Sequence, residues 1–184
     1  VERPLMLRLL CLLSLLFVAP ALAQDGPVDD LATTFVAVIQ DKDGYTNVRA
    51  SPDTKSEIVD KLHTGEHFFV RQFIDQEWAR VCTPRGLWGY AHSSRLKKVG
   101  SKAYYPVMVT DRDGYVNLRR GPGTDHPVVT QAARDECLVV LEVPGAGQRD
   151  VGEVLTEKRW LLAIDPRGKV GYVLSDRVRP NLEP

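Results

Sequence analysis

One phrase occurs twice in this chain, and that repetition limits what it can fold into. Asp41-Lys42-Asp43-Gly44-Tyr45-Thr46-Asn47-Val48-Arg49 returns 70 residues later as Asp111-Arg112-Asp113-Gly114-Tyr115-Val116-Asn117-Leu118-Arg119. At the same offset Pro52 matches Pro122, Thr54 matches Thr124, and Ile58-Val59 matches Val128-Val129. Further on, Trp78 matches Trp160 and Gly89-Tyr90 matches Gly171-Tyr172, at an offset larger by about 12 residues. The second copy therefore carries an inserted loop, near residues 144–158, opening on Pro144-Gly145-Ala146-Gly147. Ordered matches along two whole units mark a duplication, so the fold must be one that a short unit can complete.

Each unit reads as all-β. Val36–Ile39 is a short apolar run with β-branched residues, and the Asp-x-Asp-Gly after it is a turn, because Asp bonds its own backbone and Gly tolerates positive φ. Thr46–Arg49 resumes an extended pattern, and Ser51-Pro52-Asp53 turns again. The next strands are His67–Phe73 and Cys137–Val143, then Trp78–Cys82 and Trp160–Ile164, then Leu87–Ala91 and Val170–Val173. A short helical turn is allowed around Ser56–Val59, but no segment sustains a helical apolar period. Five or so short strands hide their edges by curling into a small barrel. The expected fold is thus two tandem barrels, at residues 33–98 and 104–180, with Lys97–Lys102 as the linker. Barrels of this size bury little core, and packing one against the other would help.

Residues 1–23 read as a signal peptide. Arg3 and Arg8 precede an apolar run from Leu9 to Val18, too short to span a bilayer, and Ala21-Leu22-Ala23 supplies a cleavage box. The expectation is export to the periplasm or beyond, with no membrane span in the processed chain. The whole sequence holds 24 basic and 24 acidic residues. That balance argues against nucleic acid or an anionic membrane as the main partner, since both call for a dense basic surface.

The succession Asp-Gly-Tyr-x-Asn-Val/Leu-Arg, then Arg120-Gly121-Pro122-Gly123-Thr124, then Trp and a late Gly-Tyr resembles the bacterial SH3-like domain, in both copies. The resemblance implies small SH3-like β-barrels, exported and non-catalytic, that bind peptides or peptidoglycan. Two departures stand out. The first copy has Ala50-Ser51-Pro52 where the pattern favours glycine before proline, so its turn is expected to differ. The second has Val170 in place of Trp88, which removes an aromatic wall.

Tyr45, Trp78, Trp88 and Tyr90, with Tyr115, Trp160 and Tyr172 in the second copy, are candidates to line a ligand groove or to sit in the core. Of the first four, Trp88 and Tyr90 are the stronger groove candidates. Asn47 and Arg49, like Asn117 and Arg119, either brace a neighbouring loop or form a fork for a peptide carboxylate. Cys82 and Cys137 fall in different copies, so a disulfide would staple barrel to barrel; the alternative is two separate thiols. Asp41-x-Asp43-Gly44 and Asp111-x-Asp113-Gly114 open like a calcium loop, but Pro52 and Pro122 stand where a bidentate Glu belongs, and a tight turn suffices.

No catalytic group is expected. His63, His67, His92 and His126 show no spacing that pairs one with a cysteine, and neither a metal nor a phosphate or other cofactor motif is present. The leading expectation is an envelope protein that binds peptide or peptidoglycan stems. Its rival is a periplasmic inhibitor or immunity protein that blocks a partner enzyme or toxin, using the 144–158 loop.

Overall fold

The computed structural model describes residues 34–73, 77–100, 102–144 and 157–183. The expected signal peptide and nearly all of the 144–158 insertion lie outside these residues. The first copy contributes β1 (Phe35–Ile39), β2 (Tyr45–Arg49), β3 (Ile58–His63), β4 (Phe68–Phe73), β5 (Trp78–Cys82), β6 (Trp88–His92) and β7 (Leu96–Lys98). The second contributes β8 (Tyr105–Val109), β9 (Tyr115–Arg119), β10 (Val128–Ala133), β11 (Cys137–Glu142), β12 (Trp160–Ile164), β13 (Val170–Leu174) and β14 (Val178–Pro180). A 3₁₀ turn, Ser93–Arg95 or Ser175–Arg177, precedes the last strand of each.

The spatial orders are β3-β2-β6-β5-β4-β1-β7 and β10-β9-β13-β12-β11-β8-β14, the same topology twice. All pairings are antiparallel, and the registers coincide: Phe35 faces Val70 as Tyr105 faces Val140. Strand alternation explains the curl. In β2, Thr46 and Val48 are buried while Tyr45, Asn47 and Arg49 point outward, and β9 repeats the pattern. The inward side chains of each sheet meet in their own cluster, Phe35, Val48, Leu62 and Val81 among them in the first barrel, Val107, Leu118, Leu138 and Leu161 in the second.

Each sheet has seven strands, not about five. The extra ones are β3 and β7 with their copies. Ser56–Val59 forms no helical turn, because Ile58 and Val59 open β3. Lys97 and Lys98 belong to β7, paired with Val38 and Ala37 of β1, so the connection between barrels begins later than expected.

The turn at Ala50-Ser51-Pro52 does not differ from its copy. Asp53 N donates to Ser51 O (2.8 Å) as Gly123 N donates to Gly121 O (2.9 Å). The local chemistry compensates. A Cβ on Gly121 would lie 2.7 Å from the His126 ring, whereas the first copy has Ser56 at that place. Ser56 leaves room for Ser51 and accepts a hydrogen bond from its N–H at 2.9 Å.

A third apolar cluster joins the barrels: Val36, Phe69 and Cys82 from the first, Met108, Cys137, Val139 and Ile164 from the second. Around it the contacts are related by an approximate two-fold exchange. His67 N donates to Pro166 O, and its counterpart Cys137 N donates to Pro84 O, each at 2.8 Å. The chain end then reaches back across the seam. Asn181 Nδ2 donates to Gly86 O (2.8 Å), and Glu183 pairs with both Arg71 (2.7 Å) and Arg80 (2.5 Å).

Candidate functional site

A groove of about 300 Å³ runs along the first barrel between the 41–44 turn, β2 and the start of the 3₁₀ turn. Its second-barrel copy is about 180 Å³. Position by position the linings correspond: Asp41 and Asp111, Asp43 and Asp113, Tyr45 and Tyr115, Asn47 and Asn117, Arg49 and Arg119, Trp78 and Trp160, Arg95 and Arg177.

The sequence places these groups through two devices. Outward alternation on β2 and β9 sets the Tyr, Asn and Arg on one face. The Asp-x-Asp-Gly turn is closed by Gly44 at φ 79° and Gly114 at φ 84°, conformations that side-chain-bearing residues seldom adopt. Within that turn Asp41 Oδ1 accepts the Asp43 N–H (3.1 Å), and Asp111 Oδ1 accepts that of Asp113 (2.9 Å). The other oxygen of each carboxylate meets a guanidinium, Arg95 or Arg177. The backbone N–H of Asp43, and then Arg95, hold the Asp41 carboxyl below its usual range; Asp113 and Arg177 do the same for Asp111. Both aspartates are therefore engaged by the protein itself.

Arg49 Nη1 donates to Ser56 O (2.6 Å) and Arg119 Nη1 to His126 O (2.8 Å), so each arginine braces the loop that follows its own strand. Of the two readings offered by the sequence, the bracing one is what the geometry displays. The asparagines differ. Asn117 Oδ1 accepts from Gln131 Nε2 at 3.0 Å, while Asn47 Oδ1 is buried with no partner.

Tyr45 and Tyr115 stand on the groove rims, 40% and 43% exposed. Trp78 forms a wall with little of itself exposed and meets the His92 ring edge-on, centroids 5.4 Å apart. Trp160 is half-buried in the second groove, where Leu174 replaces His92 and Val116 replaces Thr46. The first groove is the larger and more polar of the two.

The family model for the bacterial SH3 domain matches residues 44–97 and again 106–179, together well over half of the sequence. The chain belongs to the bacterial SH3 domain family. No curated protein shows significant similarity to it. Among solved structures it is similar to NlpC2 of Trichomonas vaginalis at 12% identity, covering 80% of this chain and 48% of that one, with a TM-score of 0.34. For NlpC1 of Trichomonas vaginalis the identity is 13%, the coverage 80% and 46%, and the TM-score again 0.34. The chain thus spans about half the length of these structures.

Not all the aromatic candidates of this bacterial SH3 pair gather in the grooves. Trp88 and Tyr90, the stronger candidates on sequence, lie outside them. Both project from the outer face of β6, as His92 does, but further from the groove end. Trp88 packs against the inter-barrel cluster, meets Phe69 edge-on at 5.9 Å and donates from Nε1 to Asn181 O (3.2 Å). Tyr90 lies under the Arg80 guanidinium, 4.5 Å from the ring centroid. Tyr172, its copy, is half-buried on β13 and lines neither groove.

Cys82 and Cys137 come together from the two barrels, both buried, with Sγ atoms 3.9 Å apart, but they are free thiols. The sulfur contact with Cys82 and then burial push the Cys137 thiol well above its usual pKa. Sequence reasoning missed five residues of the first groove: Thr46, Thr54, His92, Ser94 and Arg95. The matches Thr54–Thr124 and Arg95–Arg177 were available as a signal, His92 was not, since Leu174 replaces it.

Proposed function

We propose that this protein is an exported, non-catalytic binding protein of the cell envelope that takes up peptide or peptidoglycan stems in its barrel grooves. The observation that carries the reading is the pair of rim tyrosines. Tyr45 and Tyr115 remain about two-fifths exposed in both copies, each beside a tryptophan wall, where they add nothing to a barrel core. Flat aromatic faces with polar tips suit stacking against peptide planes and sugar rings. The arginines and Asp41 and Asp111 are occupied in holding the groove's shape, which leaves the rims and the groove floor to meet a ligand.

Co-sedimentation with purified cell-wall sacculi tests the reading. The intact protein should be retained, and the Tyr45→Ala/Tyr115→Ala variant should bind about two- to tenfold more weakly for each tyrosine ring removed. Both tyrosines are exposed enough that the variant should fold. No retention above a barrel-free control, or retention unchanged in the variant, overturns the proposal.

A further inference from the structure

The two thiols at the barrel seam meet although they are not copies of each other. Cys82 ends β5, and the residue at its place in the second barrel is Ile164. Cys137 opens β11, and the residue at its place in the first barrel is His67. The approximate two-fold exchange at the seam therefore carries the cysteine pair onto Ile164 and His67. Neither place asks for sulfur in order to pack, since its copy holds a branched chain or a ring. Yet the two cysteines found beyond residue 33 stand at one contact, Sγ to Sγ 3.9 Å, with 55 positions of chain between them.

The surroundings fix that contact. Both cysteines are buried in the cluster that Val36, Phe69, Met108 and Val139 build from the two barrels. The Cys137 N–H donates to Pro84 O (2.8 Å), which ties its backbone to the turn just after Cys82. Asn181 Nδ2 donates to Cys82 Sγ at 3.1 Å and to Gly86 O at 2.8 Å. Bringing the sulfurs from contact to a bond of about 2.0 Å takes a movement of about 2 Å, shared between two side chains.

We propose that Cys82 and Cys137 are a modification site, where a disulfide locks the two barrels, and with them their grooves, into one fixed pair. The free thiols of the structure are the reduced state of that site. The oxidant is a second disulfide, that of glutathione or of an exchange protein. One cysteine thiolate attacks it and expels one of its sulfurs as thiolate. The other cysteine, deprotonated in turn, attacks the protein sulfur of the mixed disulfide and expels the second. One S–S bond replaces another, the two cysteine protons pass to the departing thiolates, and the oxidant keeps the two electrons. In the closed seam burial keeps the oxidant out, and the Cys82 sulfur and burial hold the Cys137 thiol protonated. The exchange therefore takes place while the barrels dock, before the seam is sealed. The inference draws on the export proposed above for its oxidant and on nothing about the ligand.

The test unfolds the full chain in reductant and refolds it in a mixture of oxidised and reduced glutathione. Intact mass should fall by two hydrogens per chain, and digestion without reductant should yield a peptide joining Cys82 to Cys137. In urea titrations the unfolding equilibrium of the oxidised protein should be about a hundred- to a thousandfold less favourable than that of the reduced protein, as expected for a loop of this length. In Cys82→Ala/Cys137→Ala the reductant should make no difference. Free thiols, glutathione adducts or cross-linked dimers as the main product overturn the inference, as does an oxidised form no more stable than the reduced one. A protein that sacculi retain but that forms no such bond overturns this inference alone. One that forms the bond but is not retained overturns the function proposed above and leaves the lock standing.

Discussion

Phe35 and Tyr105 occupy the same place in their barrels, and comparing them isolates the effect of one oxygen. Both are buried, at 6% and 4% exposure, and they face Val70 and Val140 across equivalent ladders. Phe35 brings no polar atom into the core. The Tyr105 hydroxyl is buried with no partner, and burial pushes its pKa up to about 12. Tyr105→Phe should therefore stabilise the protein by about 1 kcal/mol, since it removes an unsatisfied group at constant shape. The pH dependence follows from the raised pKa. Below pH 10 the phenol is neutral whether the chain is folded or not, and its contribution does not vary. From pH 10 towards 12 the unfolded chain ionises first, so stability falls as pH rises. Urea midpoints at pH 7 and at successive alkaline values should show the variant above the parent and with a shallower alkaline decline. A variant less stable at pH 7 would show that the hydroxyl has a partner after all.

The element with most to teach is the loop between β2 and β3 and its copy between β9 and β10. Gly121 is close under His126, and the first copy carries serine at both places. Gly121→Ala should cost about 1–3 kcal/mol through the clash with the ring. Gly121→Ala/His126→Ser should recover most of that cost, which a double-mutant cycle of chemical denaturation would read as positive coupling. Additive costs would contradict the packing account. This compensation also marks the limit of what the sequence discloses. The missing glycine at Ser51 reads as a changed turn only while position 51 is considered without position 56, which lies beside it in space. Strands with two or three inward residues, such as Val48 with Thr46 or Val81 with Ala79, are legible from alternation. β3 and β10 are not, since each is an edge strand that buries a single side chain, Leu62 or Ala132. β7 is three residues long, with two exposed lysines, and reads as linker for that reason. In the sequence Trp88 reads as a stronger groove candidate than Trp78. Only the partner barrel decides that one seals the seam while the other walls the groove, and nothing in a strand's own pattern tells of a partner.

At the scale of the whole molecule the two barrels share a core, and this predicts how they come apart. Val36, Phe69 and Cys82 are at most 3% exposed because the second barrel covers them, together with Met108, Cys137, Val139 and Ile164. The reciprocal hydrogen bonds of His67 and Cys137, and the reach of Asn181 and Glu183 onto the first barrel, add polar contacts to that seam. A barrel unfolding alone would expose the partner's share of this apolar surface, at about 25 cal/mol for each Å². The pair should therefore melt in a single cooperative transition. The thiols provide an internal probe of the same event. Cys82 and Cys137 lie buried in the seam, out of reach of a reagent in solution, and the Cys137 pKa is raised by its sulfur neighbour and by burial, which slows reaction of that thiol further. Under reducing preparation, a thiol-specific alkylating reagent should leave both unlabelled in the native protein and label both at one rate, that of global opening, as mapped by mass spectrometry. Glu183→Gln weakens the clamp on Arg71 and Arg80 and should speed labelling of Cys82 and Cys137 together. Two resolved melting transitions, or labelling of one cysteine ahead of the other, would show instead that the barrels are independent and that the shared cluster is a contact without cooperative weight.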